Sequence, residues 1–410
     1  MNLPLFFAVR YFKSKKSTNV INIISGISVV GVAIGTAALI IVLSVFNGFE
    51  SLVVSLYNSF DPHLKIIPLS GKTFNPDSLP LDRIKSIKGI RYFSETLEDN
   101  ALLKYRDKQY IATVKGVSPE FAQMTNLSGH IAEGEMLLQQ GDTNFAVAGQ
   151  GVAYFLSLNM HDVFSSLNIF VPKRGVKNTL NPEDAFVQKN IFPIGIFSIQ
   201  QDFDSKYVLV PLRFARELFS YDKEISALEI GLVDESQMDE ILAQVNTILG
   251  QGFKVQNRFQ QHEMLYKIMK SEKWAVYLIL TFILLIATFN IIGSLAMLIL
   301  DKRKDIAVLH ALGVDSSSAK RIFLLEGSLI SLIGAGAGMI AGFLICFVQQ
   351  QFGLIKLQGS GTFVIDAYPV QMQAMDFLYV FFTVVLIGLA AAWFPAGRLT
   401  EKLIKTRINE

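Results

Sequence analysis

Four stretches of this chain are too long and too apolar for ordinary core helices: residues 21–46, 274–300, 322–348 and 375–397. A hydrocarbon layer of about 30 Å is crossed by roughly 20 helical residues, and a helix satisfies every backbone polar group within its own segment. The chain has 410 residues, of which 51% are hydrophobic and only 18% charged. The expected fold is a polytopic α-helical membrane protein with four transmembrane helices and a large mixed α+β domain between the first and second. The first run has too long an apolar core for a signal peptide, and no small-x-small cleavage site follows that core before the polar stretch at Asn47, so it reads as an uncleaved anchor.

Orientation follows from lysine and arginine. Arg10, Lys13, Lys15 and Lys16 precede the first run, Lys302, Arg303, Lys304, Lys320 and Arg321 lie between the second and third, and Arg398, Lys402, Lys405 and Arg407 follow the fourth. Between the third and fourth there is only Lys356. Both termini (1–20 and 398–410) and the connection 301–321 are therefore expected on the cytoplasmic side. Residues 47–273 and the loop 349–374 are expected on the other.

Segment 47–273 is long enough for one or two folded domains. Strand patterns recur at 63–69, 109–117, 144–149, 165–172, 206–211 and 226–232, and helical spacing at 81–89, 211–219 and 236–250. This order suggests two subdomains, one combining 50–117 with 221–270 and the other spanning 118–220. The stretch 172–190 breaks the rhythm with Pro172, Gly175, Pro182 and many charges, and reads as a protruding hairpin loop, functional or disordered.

Catalytic signals are thin. His63, His130, His161, His262 and His310 show no metal-ligand spacing, and there is no nucleophile elbow. Gly71-Lys72-Thr73 lacks the earlier glycine of a phosphate loop, since Ile66 stands there. The chain is thus expected to be no enzyme and to hold no metal or cofactor of its own. A net charge of +2 gives no reason to expect nucleic acid as a partner. The lone Cys346 allows no internal disulfide. Glycines four apart, Gly31 and Gly35 in the first run and Gly334, Gly338 and Gly342 in the third, suit close helix packing, within the chain or in a dimer. Glu326 is expected to form a local ion pair near the start of the third run.

Segment 301–315, DKRKDIAVLHALGVD, begins with alternating charge and ends apolar before Gly313. Ile306, Leu309 and Leu312 fall along one side of a helix too short to be a span. Lipid headgroups or a protein groove must cover them, and the spacing leaves both open.

The blocks AVRYF, NIISGISVVGVAIGTAALIIVLSVFNGFE and DPHLKI resemble the LolC/LolE family of lipoprotein-releasing ABC permeases, within the wider MacB-like group. So do GVSPEFAQM, FSIQQDFDSKYVLVPLRFARELF, SALEIGL and, most densely, residues 272–330. The resemblance implies a MacB-like periplasmic domain in a bacterial inner membrane. It implies a separate ATPase subunit that binds the ATP, a second permease, identical or paralogous, a lipoprotein substrate and a periplasmic carrier. Arg303, Ile306, Leu309, Leu312 and Gly313 would then form the coupling helix that seats in the ATPase. Val42, Val45, Phe46 and Phe49 of one permease would face Tyr277, Leu280 and Leu284 of the other across a lipoprotein cavity. Pro172, Pro182, Phe186 and Val187 would dock the carrier, although the loop's length and sequence are unusual for the family. A MacB-like efflux or secretion permease and an FtsX-type scaffold are the alternatives. The first would want a fused ATPase, and the second a smaller outside domain.

Overall fold

The computed structural model describes residues 4, 6–8, 10, 19–162, 164–174, 185–356 and 367–408. Lys13, Lys15, Lys16 and Pro182 lie outside the described residues. The side chains of 19–22, 316 and 399–408 are also outside the description. The elements in chain order are α1 (Asn19–Asn58), β1 (Leu64–Pro68), α2 (Leu81–Lys85), β2 (Ile90–Tyr105), β3 (Lys108–Val117), α3 (Phe121–Met124), β4 (Ile131–Gly134), β5 (Gln139–Gln140) and β6 (Thr143–Gly149). Next come α4 (Gln150–Leu156), β7 (Leu167–Pro172), β8 (Phe186–Phe197), α5 (Gln201–Asp204), β9 (Tyr207–Pro211), α6 (Leu212–Phe219), β10 (Ala227–Leu232), α7 (Met238–Leu249), β11 (Phe253–Asn257) and α8 (Arg258–Gln261). The chain ends with α9 (Glu263–Asp301), α10 (Arg303–Ala311), α11 (Ser316–Phe352) and α12 (Ala374–Ile408). Two compact units result, one β-rich, centred on 53–266, and one helical, made of the remainder.

In the helical unit, α1, α9, α11 and α12 are each long and apolar enough to cross a membrane. All exceed the apolar runs that announce them. At about 1.5 Å per residue, the 40 residues of α1 span roughly twice a ~30 Å core. The glycines of α11 are the seam along which α1 packs. A Cβ at Gly338 would come within 2.4 Å of the Ala33 carbonyl oxygen, and at Gly334 within 2.8 Å of Val32 Cβ. Gly342 backs onto Ile40, and Gly35 of α1 makes room for Leu284 of α9. The glycine pattern therefore serves packing within the chain, while a Cβ on Gly31 would meet no other element within 4 Å. Small polar residues fill the interior: Ser28, Thr36, Ser44, Thr288, Ser294 and Ser331 are buried. Ser28 donates to its own helix at Ile24 and also to the Asn290 carbonyl, which binds α1 to α9.

The β-rich unit is built on an 11-stranded sheet. Strands β2, β3, β9, β6, β8 and β7 pair in sequence, and β7 pairs back to β2, closing a ring. Its core includes Leu97, Leu103, Val114, Ile169, Val208 and Leu218, with α6 supplying Phe214 and Leu218. A second core lies where β1, β10 and β11 are packed by α2 and α7, through Leu64, Ile66, Ile84, Ile230, Ile241 and Val255. The cores do not divide at residue 117, as the sequence suggested. β2 and β3 belong to the ring because β2 is 16 residues long and its second half turns inward there.

Candidate coupling helix, apolar faces and hairpin

The helix α10 joins two membrane helices. It ends where Gly313, at φ +88°, reverses the chain and donates to the His310 carbonyl. Asp315 then caps α11 by accepting from the Ser317 amide at 3.0 Å. That backbone bond holds its carboxyl below the usual carboxylate range. The apolar residues of α10 do not share one exposed side. Ile306 is only 4% exposed and packs with Leu298, Ile299, Phe323 and Ala396. Leu309 is half-buried, while Val308 and Leu312 are 60% and 76% exposed. Ile306 is thus a root holding α10 to its own bundle. The free surface consists of Val308 and Leu312, one turn apart, beside exposed Arg303, Lys304 and Gly313.

The cavity candidates divide in the same way. Leu284 is fully buried against Gly35, and Tyr277 and Leu280 pack on the bundle core, with the Tyr277 hydroxyl bonded to Thr383. These three continue along the inward line of α9 through Thr288, Ile291 and Leu295. The opposite face carries Leu278, Ile279, Phe282, Ile283, Ile286 and Phe289, all exposed, with Phe282 at 62%. On α1, Val42, Val45, Phe46 and Phe49 are half-buried, and Phe49 meets Tyr368 edge to face at 5.7 Å. The open face of α1 is instead Ile23, Ile27, Val30 and Ile34. A helical wheel separates these faces, but only the packing partners say which of two apolar faces is inside.

In the hairpin, β7 and β8 pair from Leu167↔Ile191 to Pro172↔Phe186, and Lys173 donates to the Ala185 carbonyl. Phe186 and Val187 are therefore stem residues, not loop residues. Val187 packs on the ring core, and Phe186 and Pro172 stay exposed. Arg174 lies over the Tyr221 ring at 3.5 Å, and Lys189 pairs with Glu217 at 2.6 Å. The Lys189 bond holds the Glu217 carboxyl below its ordinary value.

Sequence patterning did not show how the chain enters and leaves the β-rich unit. Phe60, just past α1, is buried among Phe121, Phe197, Phe203 and Tyr207, with the Lys115 ammonium 4.8 Å from its ring centre. Lys115 pairs with Glu229 at 2.8 Å, both nearly sealed from solvent. Burial alone would lower the nearby Lys65, yet Glu98 and Glu229 carry it above its ordinary value. The entering segment is held to the leaving one by Asp61–His262 at 2.6 Å and by Arg258, which donates to the Asn58 and Asp61 carbonyls. Among the described residues no group of acidic, histidine or cysteine side chains could hold a metal ion.

Residues 25–248, more than half of the chain, match the family "MacB-like periplasmic core domain", and residues 277–404 match "FtsX-like permease C-terminal". The chain is 26% identical over 423 residues to the lipoprotein-releasing system transmembrane protein LolE of Haemophilus influenzae, covering 98% of each. It is 23% identical over 416 residues to LolC of Neisseria meningitidis, covering 98% of this chain and 97% of that one. It is 24% identical over 398 residues to LolC of Buchnera aphidicola, covering 95% and 94%.

Proposed function

The chain belongs to the permeases that join a MacB-like periplasmic core domain to an FtsX-like C-terminal region, in the LolC/LolE line, and from that membership we propose that it is the permease subunit of an ABC complex that releases lipoproteins from a bacterial inner membrane. The ATP is bound by a separate subunit, a second permease completes the membrane part, and a periplasmic carrier receives the lipoprotein. Both termini and α10 face the cytoplasm, in keeping with their lysines and arginines. Residues 47–273 and 349–374 face the periplasm.

The observation that carries this reading is the uncovered end of α10. A nine-residue helix rooted by Ile306 and presenting Val308 and Leu312 beside basic side chains is built to be held from both sides. Its own bundle grips one side, and an apolar groove of the ATPase covers the other. The need for coupling is energetic. Each acyl CH₂ withdrawn from lipid costs about 0.8 kcal/mol, so a multiply acylated protein leaves the membrane only when driven. The driven surface we assign to the exposed faces of α9 (Phe282, Ile286, Phe289) and α1 (Ile27, Val30, Ile34), which apolar chains can enter without breaking the bundle. The hairpin beyond Pro172 and Phe186 is our candidate for holding the carrier.

The test is co-purification. Leu312→Glu places a charge in the groove and should remove the ATPase from the purified complex while leaving membrane insertion and bundle stability intact. ATPase retained at native stoichiometry by both Leu312→Glu and Val308→Glu would refute the docking role.

A further inference from the structure

At the ends of α1 and α9 that lead into the β-rich unit lies a polar cluster with no part in the reading above. Asn47 of α1 is only 1% exposed. Its amide donates to Asp376 Oδ2 at 2.6 Å and to the Gln371 carbonyl at 3.3 Å, and it accepts from Lys273 Nζ at 2.7 Å. Lys273, on α9, is also 3.6 Å from Asp376 Oδ1, in the first turn of α12. One amide thus joins three membrane helices. Beside it the Gln371 amide donates to the Ser44 carbonyl at 2.9 Å. A Cβ on Gly48 would fall 2.3 Å from the Pro369 carbonyl oxygen, so the segment leading to α12 lies directly on α1.

Apolar helix faces slide past one another in lipid with little preference for register. A charge-assisted cluster around a buried amide does not, because opening it leaves the buried Asp376 carboxylate and the Asn47 amide without partners. Every hydrogen-bonding atom of the Asn47 side-chain amide that the cluster needs is already engaged within the chain.

We infer that Asn47, Lys273 and Asp376 form a permanent joint that makes the ends of α1, α9 and α12 a single lever during export, and that substrate does not pass between these helices. They are positioning residues, and the inference rests on the export reading. The joint explains how motion delivered to α9 through α10 reaches α1, which has no direct connection to α10 along the chain.

The experiment uses the full-length chain, with Cys346→Ala, in its complex with the ATPase. Asn47→Cys with Asp376→Cys removes the cluster, and a short bis-thiol reagent restores a link between the same two helices. With free thiols, ATP turnover should stay within about twofold of the parent while lipoprotein released per ATP falls at least about tenfold. Bridging should return release to within about twofold. Parental release with free thiols, loss of ATP turnover together with release, or abolition of release by bridging would each overturn the joint. Spin labels at the ends of α1 and α12 give a readout that needs no lipoprotein. Their separation should be unchanged by ATP in the native cluster and should broaden with Asp376→Asn, which keeps an acceptor but loses the charge. ATP-dependent movement between the labels with the native cluster would also overturn it. If the parent complex releases no lipoprotein at all, the export reading fails, while the label distance still decides the joint.

Discussion

The two units of this molecule bury opposite things. The β-rich unit hides its large apolar side chains, Leu103, Val114, Ile230 and Phe121 among them, and buries charge in pairs such as Lys115–Glu229. The helical unit turns Phe282, Ile286 and Phe289 outward and keeps glycine, serine and threonine in its seams. The difference follows from the solvent. In water the apolar area removed drives folding, at roughly 25 cal/mol per Å². In lipid that drive is missing, and close backbone approach and shared hydrogen bonds decide which helices meet. One consequence is that exposure of a large apolar residue has opposite meanings in the two units. On Ile111 of β3 it marks an unusual surface, and on Phe282 of α9 an ordinary one.

The largest effect should come from breaking a charge pair in the β-rich unit. Glu229→Ala leaves Lys115 buried without its partner and should cost about 3–5 kcal/mol, whereas Lys115→Met with Glu229→Met should recover most of it. Thermal unfolding of the detergent-solubilised chain measures both, and a double variant as unstable as the single one would show that the pair is not the cause. Next is overpacking a seam in the helical unit. Gly338→Leu collides with the α1 backbone and should cost about 1–3 kcal/mol or prevent assembly, while the same change at open Gly336 should be nearly silent. Equal effects at the two glycines would remove the seam from the account.

A smaller effect tests the meaning of exposure. Phe282→Ala should change stability by no more than about 0.5 kcal/mol, against about 2–5 kcal/mol for Leu284→Ala two residues on. The last is a pH effect. Burial pushes the Asp204 carboxyl up to about 6, against the opposing bonds from the Ile199 and Gln200 amides. A raised carboxyl holds a proton in the folded state that the unfolded chain has released, so its contribution to stability is lost as pH rises from about 4 to about 6. Asp204→Asn should flatten that part of the pH profile, and a profile unchanged between pH 4 and 6 would contradict the shift.

The helical unit was legible in outline because length and hydropathy identify spans without any partner. Its inner and outer faces were not: Leu284 and Phe282 are equally apolar, and only Gly35 on the neighbouring helix distinguishes them. In the β-rich unit the alternating strands β1, β3, β6, β7, β9 and β10 were visible. The longest strand, β2, was not, because Glu95, Glu98 and Asp99 disrupt its pattern. Each carboxylate is matched across the fold, Glu95 by Arg216, Glu98 by Lys65 and Asp99 by Lys72. Such pairs cannot be foreseen from one strand alone. β8 was hidden by the reading of its start as loop, since Phe186 and Val187 follow a charged stretch. On α10, amphipathic spacing located the helix but overlooked that its own bundle could claim Ile306.

The most direct test of the account is release itself. The chain, its second permease and its ATPase would be reconstituted in liposomes carrying a triacylated lipoprotein, with a soluble carrier outside, and transfer to the carrier followed with and without ATP. The account predicts ATP-dependent transfer that disappears with Leu312→Glu and survives Leu386→Ala on the exposed face of α12. Release that proceeds without ATP, or ATP turnover that never moves lipoprotein to the carrier, would contradict it.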